Sequence, residues 1–217
     1  MVKRIALFAL CVLVIGASVS AANTVDSIAA SAPLEELSRE EIDGLLQMRE
    51  EEKLARDVYT ALYAKWKLPI FRNIAESEQQ HTDMVKTLLG KYELQDPMKN
   101  DTPGVFEKQE LQSLYDNLVA RGSGSLSDAL LAGAAVEDLD IYDLEELMQS
   151  ADNADIRIVY QNLMKGSRNH LRSFAAQIAR EGKTYRASYL TQEAVDDIVH
   201  SPRERGVITD PDFVWSK

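Results

Sequence analysis

Apolar residues recur at helical spacing over most of this 217-residue chain, and that periodicity limits the folds open to it. Four long stretches carry it, at about residues 38–67, 71–89, 125–148 and 155–180. Because apolar residues three or four positions apart share one face of a helix, each stretch predicts an amphipathic helix. The sequence contains no convincing alternation of apolar and polar residues, the pattern typical of strands. We therefore predict an all-α protein.

The connections predict how these helices are arranged. Pro69 separates the first two helices, a turn around Asp152 separates the last two, and a longer link joins the pairs. Short turns make successive helices antiparallel, so the pattern favours a four-helix bundle. We expect a short extra helix at 106–120 in the long crossover. An irregular C-terminal extension at 183–217 is expected to contain a short helix at 191–199.

The N-terminus has the pattern of a secretory signal peptide. Lys3 and Arg4 precede a nearly unbroken apolar run at 5–15, and small residues follow up to Ala21. The run is shorter than the roughly 20 residues that a membrane-spanning helix needs. We therefore predict a periplasmic or secreted protein that does not contact the membrane after signal cleavage. The predicted divisions are a signal peptide at 1–21, a flexible leader at 22–33, the bundle at 34–182 and the extension at 183–217.

The cysteine content and the net charge exclude several kinds of site and partner. The single cysteine, Cys11, lies in the predicted signal, so the mature chain would contain no thiol. That excludes disulfides, thiolate zinc sites, iron–sulfur clusters and cysteine nucleophiles. The formal charge is -11, and it becomes about -13 once Lys3 and Arg4 are removed. Such an acidic chain is a poor partner for nucleic acid.

One Glu-x-x-His pair lies in the middle of an apolar helix face. Glu78 and His81 are three residues apart, so both side chains project from the same side of a helix. Phe71, Ile74 and Val85 continue that face at helical offsets. Burying an unpartnered carboxylate costs several kcal/mol, so this pair needs a partner in the core. A metal ion is one such partner.

The other three helices each offer a ligand on their apolar face. Glu52 lies on the first helix, Glu137 on the third and His170 on the fourth. Counted back from the turn at Asp152, Glu137 and His170 differ in height by only about 5 Å, at about 1.5 Å per residue. All four helices can therefore contribute to one polar layer in the core.

Structural explanations remain open for each of these positions. A lone histidine on an apolar face can be a hydrogen-bonded core residue, and Glu137 can belong to an acidic surface. On the first helix, Glu51 is the reserve candidate for a ligand, and Glu50 is expected to face solvent. His200 has no apolar setting and is interpreted as a surface residue.

Three segments resemble a known family. Met48–Tyr59, Ser77–His81 and Gly166–Phe174 are similar to the bacterial and archaeal family catalogued as domain of unknown function 2202, and Glu52-x-x-Ala55-x-x-x-Tyr59 resembles the rubrerythrin type of the ferritin-like superfamily. The resemblance implies a ferritin-like, rubrerythrin-like bundle with a Glu from each of two helices and a Glu-x-x-His from each of the other two. Carried over by position, the implied metal ligands are Glu52, Glu78, His81, Glu137 and His170.

The sixth implied ligand is absent, because Ser167 occupies the position three before His170. Asp140 or Glu51 can substitute for it, and a single ion or two ions remain alternatives. The implied metal is iron, with manganese or zinc as alternatives.

Two functions follow from the resemblance and the residues together. In the first, the metal acts on oxygen or peroxide or is itself handled by the protein, and Tyr59 and Tyr160 tune the site. In the second, the chain is a non-catalytic helical module that binds a partner or a structural ion. Enzymatic activity stays undecided between them, and a homodimer is compatible with either.

Overall fold

The structure, a computed structural model, describes residues 21–216. The predicted signal peptide at 1–21 lies outside the described residues except for Ala21. Within the described range there are seven helices and no strand, which confirms the all-α prediction. None of these helices is both long enough and apolar enough to cross a membrane. The helices are α1 (Ala21–Ser31), α2 (Arg39–Trp66), α3 (Pro69–Lys91), α4 (Gln109–Gly122), α5 (Leu126–Ser150), α6 (Ala154–Arg180) and α7 (Gln192–His200).

The four long helices, α2, α3, α5 and α6, pack together as a bundle. The most extensive packing is within the pairs α2–α3 and α5–α6, each joined by a very short turn, and α2 also packs on α5 while α3 packs on α6. The predicted crossover helix is present as α4, which packs on α2 and α5. Apolar side chains from all four long helices form one core, and several Glu and His side chains of the same helices are buried with them.

Local sequence signals explain where several helices begin. Ser38 and Glu41 form a capping box, in which each side chain binds the backbone N–H of the other residue. Pro69 occupies the first turn of α3, where its missing N–H removes no helical bond. Ser125 caps α5 and Thr191 caps α7 through side-chain acceptors. The helix limits follow from these caps together with the apolar periodicity.

The crossover is attached to α2 by buried charges. The Lys53 ammonium lies 2.5 Å from the carboxylate of Asp57 and donates to the Thr102 and Val105 carbonyl oxygens. Asp57 also accepts from the Gly104 N–H. These bonds replace the hydration that both charges lose on burial, so the crossover is held at a defined place on the bundle.

The segment expected to be a flexible leader is helical in the structure, so that prediction is wrong for residues 22–31. Val25 and Ala29 of α1 are buried, and α1 packs against α3 and α6. Lys91 holds the end of this segment, donating from Nζ to the Ala29, Ala32 and Pro33 carbonyl oxygens and to the Asp155 carboxylate. Eleven residues of mostly small side chains carry too short an apolar stripe to reveal such a helix from sequence.

The C-terminal extension runs back along α6 and contains α7 near the predicted position. The buried carboxylate of Asp138 in α5 accepts from the Tyr185 hydroxyl and from the backbone N–H groups of residues 188–190. Glu204 lies between Arg168 and Arg172 of α6, with its shortest ion pair at 2.6 Å. These two anchors position the extension on the bundle.

Candidate metal centre

All five residues predicted as ligands meet in the core, and they come from four different helices. Glu52 lies on α2, Glu78 and His81 lie on α3, Glu137 lies on α5, and His170 lies on α6. Each is buried, with exposed fractions of 1% for Glu52, 2% for Glu78 and Glu137, 5% for His81 and 7% for His170. The shared height inferred from residue counting is thus consistent with where their side chains lie.

Glu78 stands between the two histidines and belongs to two triads. One of its oxygens lies 2.7 Å from Nδ1 of His81, and the other lies 2.9 Å from Nδ1 of His170. Glu52 approaches the His81 nitrogen at 3.3 Å, and Glu137 approaches the His170 nitrogen at 3.3 Å. The potential ligand atoms within each triad lie within 4.8 Å of one another. Each triad therefore presents two carboxylates and one imidazole to a common point.

The electrostatics of the five groups are strongly coupled. Burial alone would lower the pKa of both imidazoles, but the facing carboxylates raise it, to about 9 for His170 and well above the usual value for His81. Burial raises the pKa of Glu52 and Glu137 to about 7. The two imidazolium groups hold the pKa of Glu78 below its usual range despite its burial. Without a metal cation, the positive charge of the protonated imidazoles therefore offsets the negative charge of the carboxylates.

The far side of each imidazole has a different neighbour. Nε2 of His170 lies 3.1 Å from the Ser77 hydroxyl, on the same α3 helix as Glu78. The His81 ring instead lies against Gly166 of α6, where an added Cβ would stand 2.5 Å from ring atoms. Sequence reasoning missed both residues. The sequence did contain a signal for Gly166. Glycine inside a helix costs about 1 kcal/mol relative to alanine, so its presence there indicates a packing or functional role.

Tyr59 contacts the cluster directly. Its hydroxyl donates to Glu137 Oε1 at 2.5 Å and also lies 3.1 Å from the Gly133 carbonyl oxygen. Burial and the Glu137 carboxylate raise its pKa well above the usual value, so the phenol keeps its proton. Tyr160 has a different place, because its buried hydroxyl has no hydrogen-bond partner among the described residues and the nearby acids acting on it are Glu41 and Glu51.

Ser167, which occupies the expected sixth ligand position, bonds to a carboxylate. Its hydroxyl is hydrogen-bonded to Asp140 of α5. Burial and the charges of Glu52 and Glu137 raise the pKa of Asp140 well above its usual value. Asp140 therefore lies in the electrostatic field of the cluster, although it belongs to neither of the two triads found in the described residues.

The other candidate residues lie away from the triads. Glu51 accepts from Gln47 at 3.0 Å, and burial, followed by the charge of Asp143, raises its pKa to about 8. Glu50 is buried and paired with Lys108, so the expectation that it faces solvent is wrong. The charge run 50–52 is too short for periodicity to show that the crossover covers Glu50. His200 is exposed, as expected.

Comparisons with known proteins place the chain in a family. A family model described as an uncharacterized protein domain, DUF2202, matches residues 41–202. The uncharacterized protein MJ0754 of Methanocaldococcus jannaschii is 54% identical over 177 residues, which are 82% of this chain and 96% of that protein. A crystal structure of the hypothetical protein MJ0754 is similar with a TM-score of 0.79 and 53% identity, covering 80% of this chain and 99% of the other.

Proposed function

This chain belongs to the DUF2202 family, and from that premise we propose that it is a ferritin-like protein that binds metal in its bundle core. The proposed ligands are Glu52, Glu78, His81, Glu137 and His170. The proposed metal is iron, with manganese or zinc as alternatives, and it serves in chemistry with oxygen or peroxide or in metal handling. The rubrerythrin-like resemblance of the helix α2 motif supports the same proposal.

The single observation that carries the proposal is the sharing of Glu78 by two equivalent triads. Its two oxygens face the Nδ1 atoms of two different histidines at 2.7 and 2.9 Å. A carboxylate so placed can bridge two cations, each completed by one further Glu and one His. This favours a two-ion centre over the single-ion alternative.

The donor set fits a cation of this kind. Carboxylate and imidazole ligands suit iron, manganese and zinc, and the described residues supply no thiolate that would select a softer metal. Glu52 Oε1 is buried without a hydrogen-bond partner among the described residues, which is costly unless a ligand completes it. When bound, iron would supply redox chemistry with oxygen or peroxide, whereas zinc would supply only Lewis acidity.

The chain's own residues would hold and orient the ligands. Tyr59 donates to Glu137 and so leaves its second oxygen directed at His170. Ser77 lies at Nε2 of His170, which leaves Nδ1 for the metal. Binding would displace the protons that the imidazoles share with the carboxylates, so metal uptake would release protons.

The proposed location is periplasmic or secreted, following the signal pattern at residues 1–21. Detection of a mature N-terminus near Ala21 or Ala22 by mass spectrometry of protein from its own host would support this. An intact Met1 would overturn it.

A non-catalytic helical module is the second candidate, and one observation favours it. Both imidazoles already pair with carboxylates at 3.3 Å or less, so the core is largely satisfied without metal. The bundle could therefore fold and present a surface to a partner without any ion.

Metal analysis separates the two candidates. Protein reconstituted anaerobically with Fe(II) is expected to bind about two ions per chain, as in other ferritin-like centres. Glu78→Gln removes the shared charge and is expected to lose both ions. Glu50→Gln, a buried change on α2 outside the triads, is the matched control and should leave the iron content unchanged. Absence of stoichiometric iron, manganese and zinc from the folded wild-type protein would refute the metal proposal.

A further inference from the structure

A groove lies beside the candidate metal centre, between the first turns of α3 and the C-terminal half of α6. Its volume is about 580 Å³, and its lining includes Asn73, Ser77, His170, Gln177 and Arg203. His170 is the only proposed metal ligand in that lining. The groove therefore brings solvent-accessible space to the Nε2 side of one imidazole of the centre.

Hydrogen-bond donors dominate the polar groups in this groove. When His170 donates from Nε2 to Ser77, at 3.1 Å, the serine hydroxyl hydrogen remains for another acceptor. The side-chain oxygens of Asn73 and Gln177 accept from neighbouring arginines of their own helices, at 3.4 Å each, so their NH₂ groups remain available as donors. A ligand that fits these groups must supply acceptors.

The charge of the groove is opposite to that of the protein. The formal charge of the chain is -11, yet no Asp or Glu lines this groove. Arg203 lines it, and within residues 21–216 its guanidinium has no hydrogen-bond or ion-pair partner. An unpaired guanidinium near neutral donors is a suitable environment for an oxyanion, which it can bind through two parallel N–H groups.

The opposite flank of the centre differs in both size and charge. Between α2 and α5 lies a cavity of about 20 Å³ whose lining includes the acids Glu51 and Asp140. It has room for about one water molecule, and its lining contains no basic side chain that could pair with an anion. Of these two cavities, only the groove between α3 and α6 is both large enough and electrostatically suited to an anion.

We infer that the groove between α3 and α6 is a binding site for a small oxyanion, of the carboxylate or phosphate class, held by Arg203 and the donors around Ser77. The inference goes beyond the proposed metal function and depends only on the groove itself. The bound anion would lie on the outer side of His170, so the groove would give the centre a neighbouring small-molecule site.

Calorimetric titration of the purified metal-free protein with inorganic phosphate and, separately, with acetate tests this site. Saturable binding of at least one anion is expected. Arg203→Gln should weaken it about tenfold, the effect of losing one charge-assisted contact. Arg205→Gln, which removes the same charge two residues away and outside the groove, should change it less than about twofold.

A second pair of variants tests the location rather than the charge. Ala176 is exposed and lines the groove, and Ala179 is exposed on the same helix but does not. Ala176→Trp should abolish binding by filling the groove, whereas Ala179→Trp should leave it unchanged. Circular dichroism confirms that both variants are folded.

Three outcomes would overturn the inference: no saturable binding of either anion, equal losses in the Arg203 and Arg205 variants, or full binding in Ala176→Trp. Because the titration uses metal-free protein, its result is independent of whether the centre binds metal. A protein that binds iron stoichiometrically but neither anion would overturn only this inference.

Discussion

The two triads of the core have the same donors but different surroundings. On the α5–α6 side, Glu137 accepts from Tyr59 and His170 contacts Ser77. On the α2–α3 side, Glu52 Oε1 has no partner among the described residues, and the His81 ring rests against Gly166. Hydrogen bonds from residues outside the triad orient the first, whereas in the second the contact from outside the triad is the packing of the His81 ring against Gly166. We therefore expect the two halves to differ in metal affinity and in their response to substitution.

Gly166→Ala should have the largest effect on the difference in metal affinity between the two triads. The added Cβ would stand 2.5 Å from Cε1 and Nε2 of the His81 ring, so the ring must leave its present position beside Glu52 and Glu78. We expect the affinity of the Glu52–His81 half to fall by more than about 100-fold, beyond the usual effect of losing an orienting contact. Stepwise titration with Fe(II) or Mn(II) would measure this loss, since the Glu137–His170 half should still bind its ion. Overpacking should also reduce the free energy of unfolding by about 1–3 kcal/mol.

Gly90→Ala is the control for that substitution. It also adds a methyl group to a helical glycine, but the new Cβ meets nothing within 4 Å. We expect unchanged metal binding. Equal losses of metal affinity at the Glu52–His81 half in the two variants would mean that the contact between Gly166 and His81 does not position the ring.

Ser77→Ala should weaken the other half selectively. Loss of the hydroxyl at Nε2 of His170 removes the group that orients the ring. The expected loss in metal affinity at the Glu137–His170 half is about 10- to 100-fold, as for other partners of metal-binding histidines. The control is Ser173→Ala, because this hydroxyl bonds the Asn169 carbonyl instead. An equal loss in both halves would contradict the asymmetry.

Tyr59→Phe should have a smaller effect on the same half. It deletes the donor to Glu137 Oε1 and leaves that buried oxygen without this bond. We expect about tenfold weaker metal binding at this half and a loss of about 1–3 kcal/mol in the free energy of unfolding of the metal-free protein. Tyr160→Phe removes a hydroxyl that has no partner among the described residues and should change neither quantity by as much.

Glu41→Gln should change stability without changing the ratio of the two affinities. Glu41 accepts from the Ser38 N–H and from the Asp152 and Asn153 N–H groups, so it joins the start of α2 to the turn between α5 and α6. Burial alone would raise its pKa, but these bonds lower it from about 4.5. The stabilisation is therefore present above pH 4.5 and is lost as the pH falls through the lowered value.

Urea unfolding at pH 7 and pH 3 measures this prediction. The variant should be less stable than the wild type at pH 7, and the difference should shrink at pH 3. A difference that is the same at both pH values would contradict a bound carboxylate. A change in the ratio of the two metal affinities would mean that the contact between the start of α2 and the α5–α6 turn affects the metal centre.

Sequence reasoning identified the elements that repeat a strong pattern. The long helices follow from apolar periodicity. Glu78 and His81 stood out because polar groups on an apolar face are rare. Helix α1 was missed because its stripe is short and depends on the Lys91 side chain from another helix. Burial of Glu50 depends in the same way on Lys108 in the crossover.

The surroundings of the centre were harder to predict than its ligands. Contacts such as Ser77 with His170 and Gly166 with His81 join different helices, and they depend on the rotation of each helix about its axis. Residue counting gives heights along a helix but not such rotations. Arg203 comes to the groove only through the path of the extension, and the sequence of that segment has no periodicity from which to infer the path.

The anchoring of the extension by Asp138 has a kinetic consequence. Three consecutive backbone amides, at residues 188–190, donate to a single carboxylate, so they must be released together. Local opening of this turn would release the start of the extension from α5 while Glu204 still holds the later part, next to Arg203, on α6. Exchange of these amides with deuterated solvent would thus report the lifetime of the Asp138 anchor separately from global unfolding.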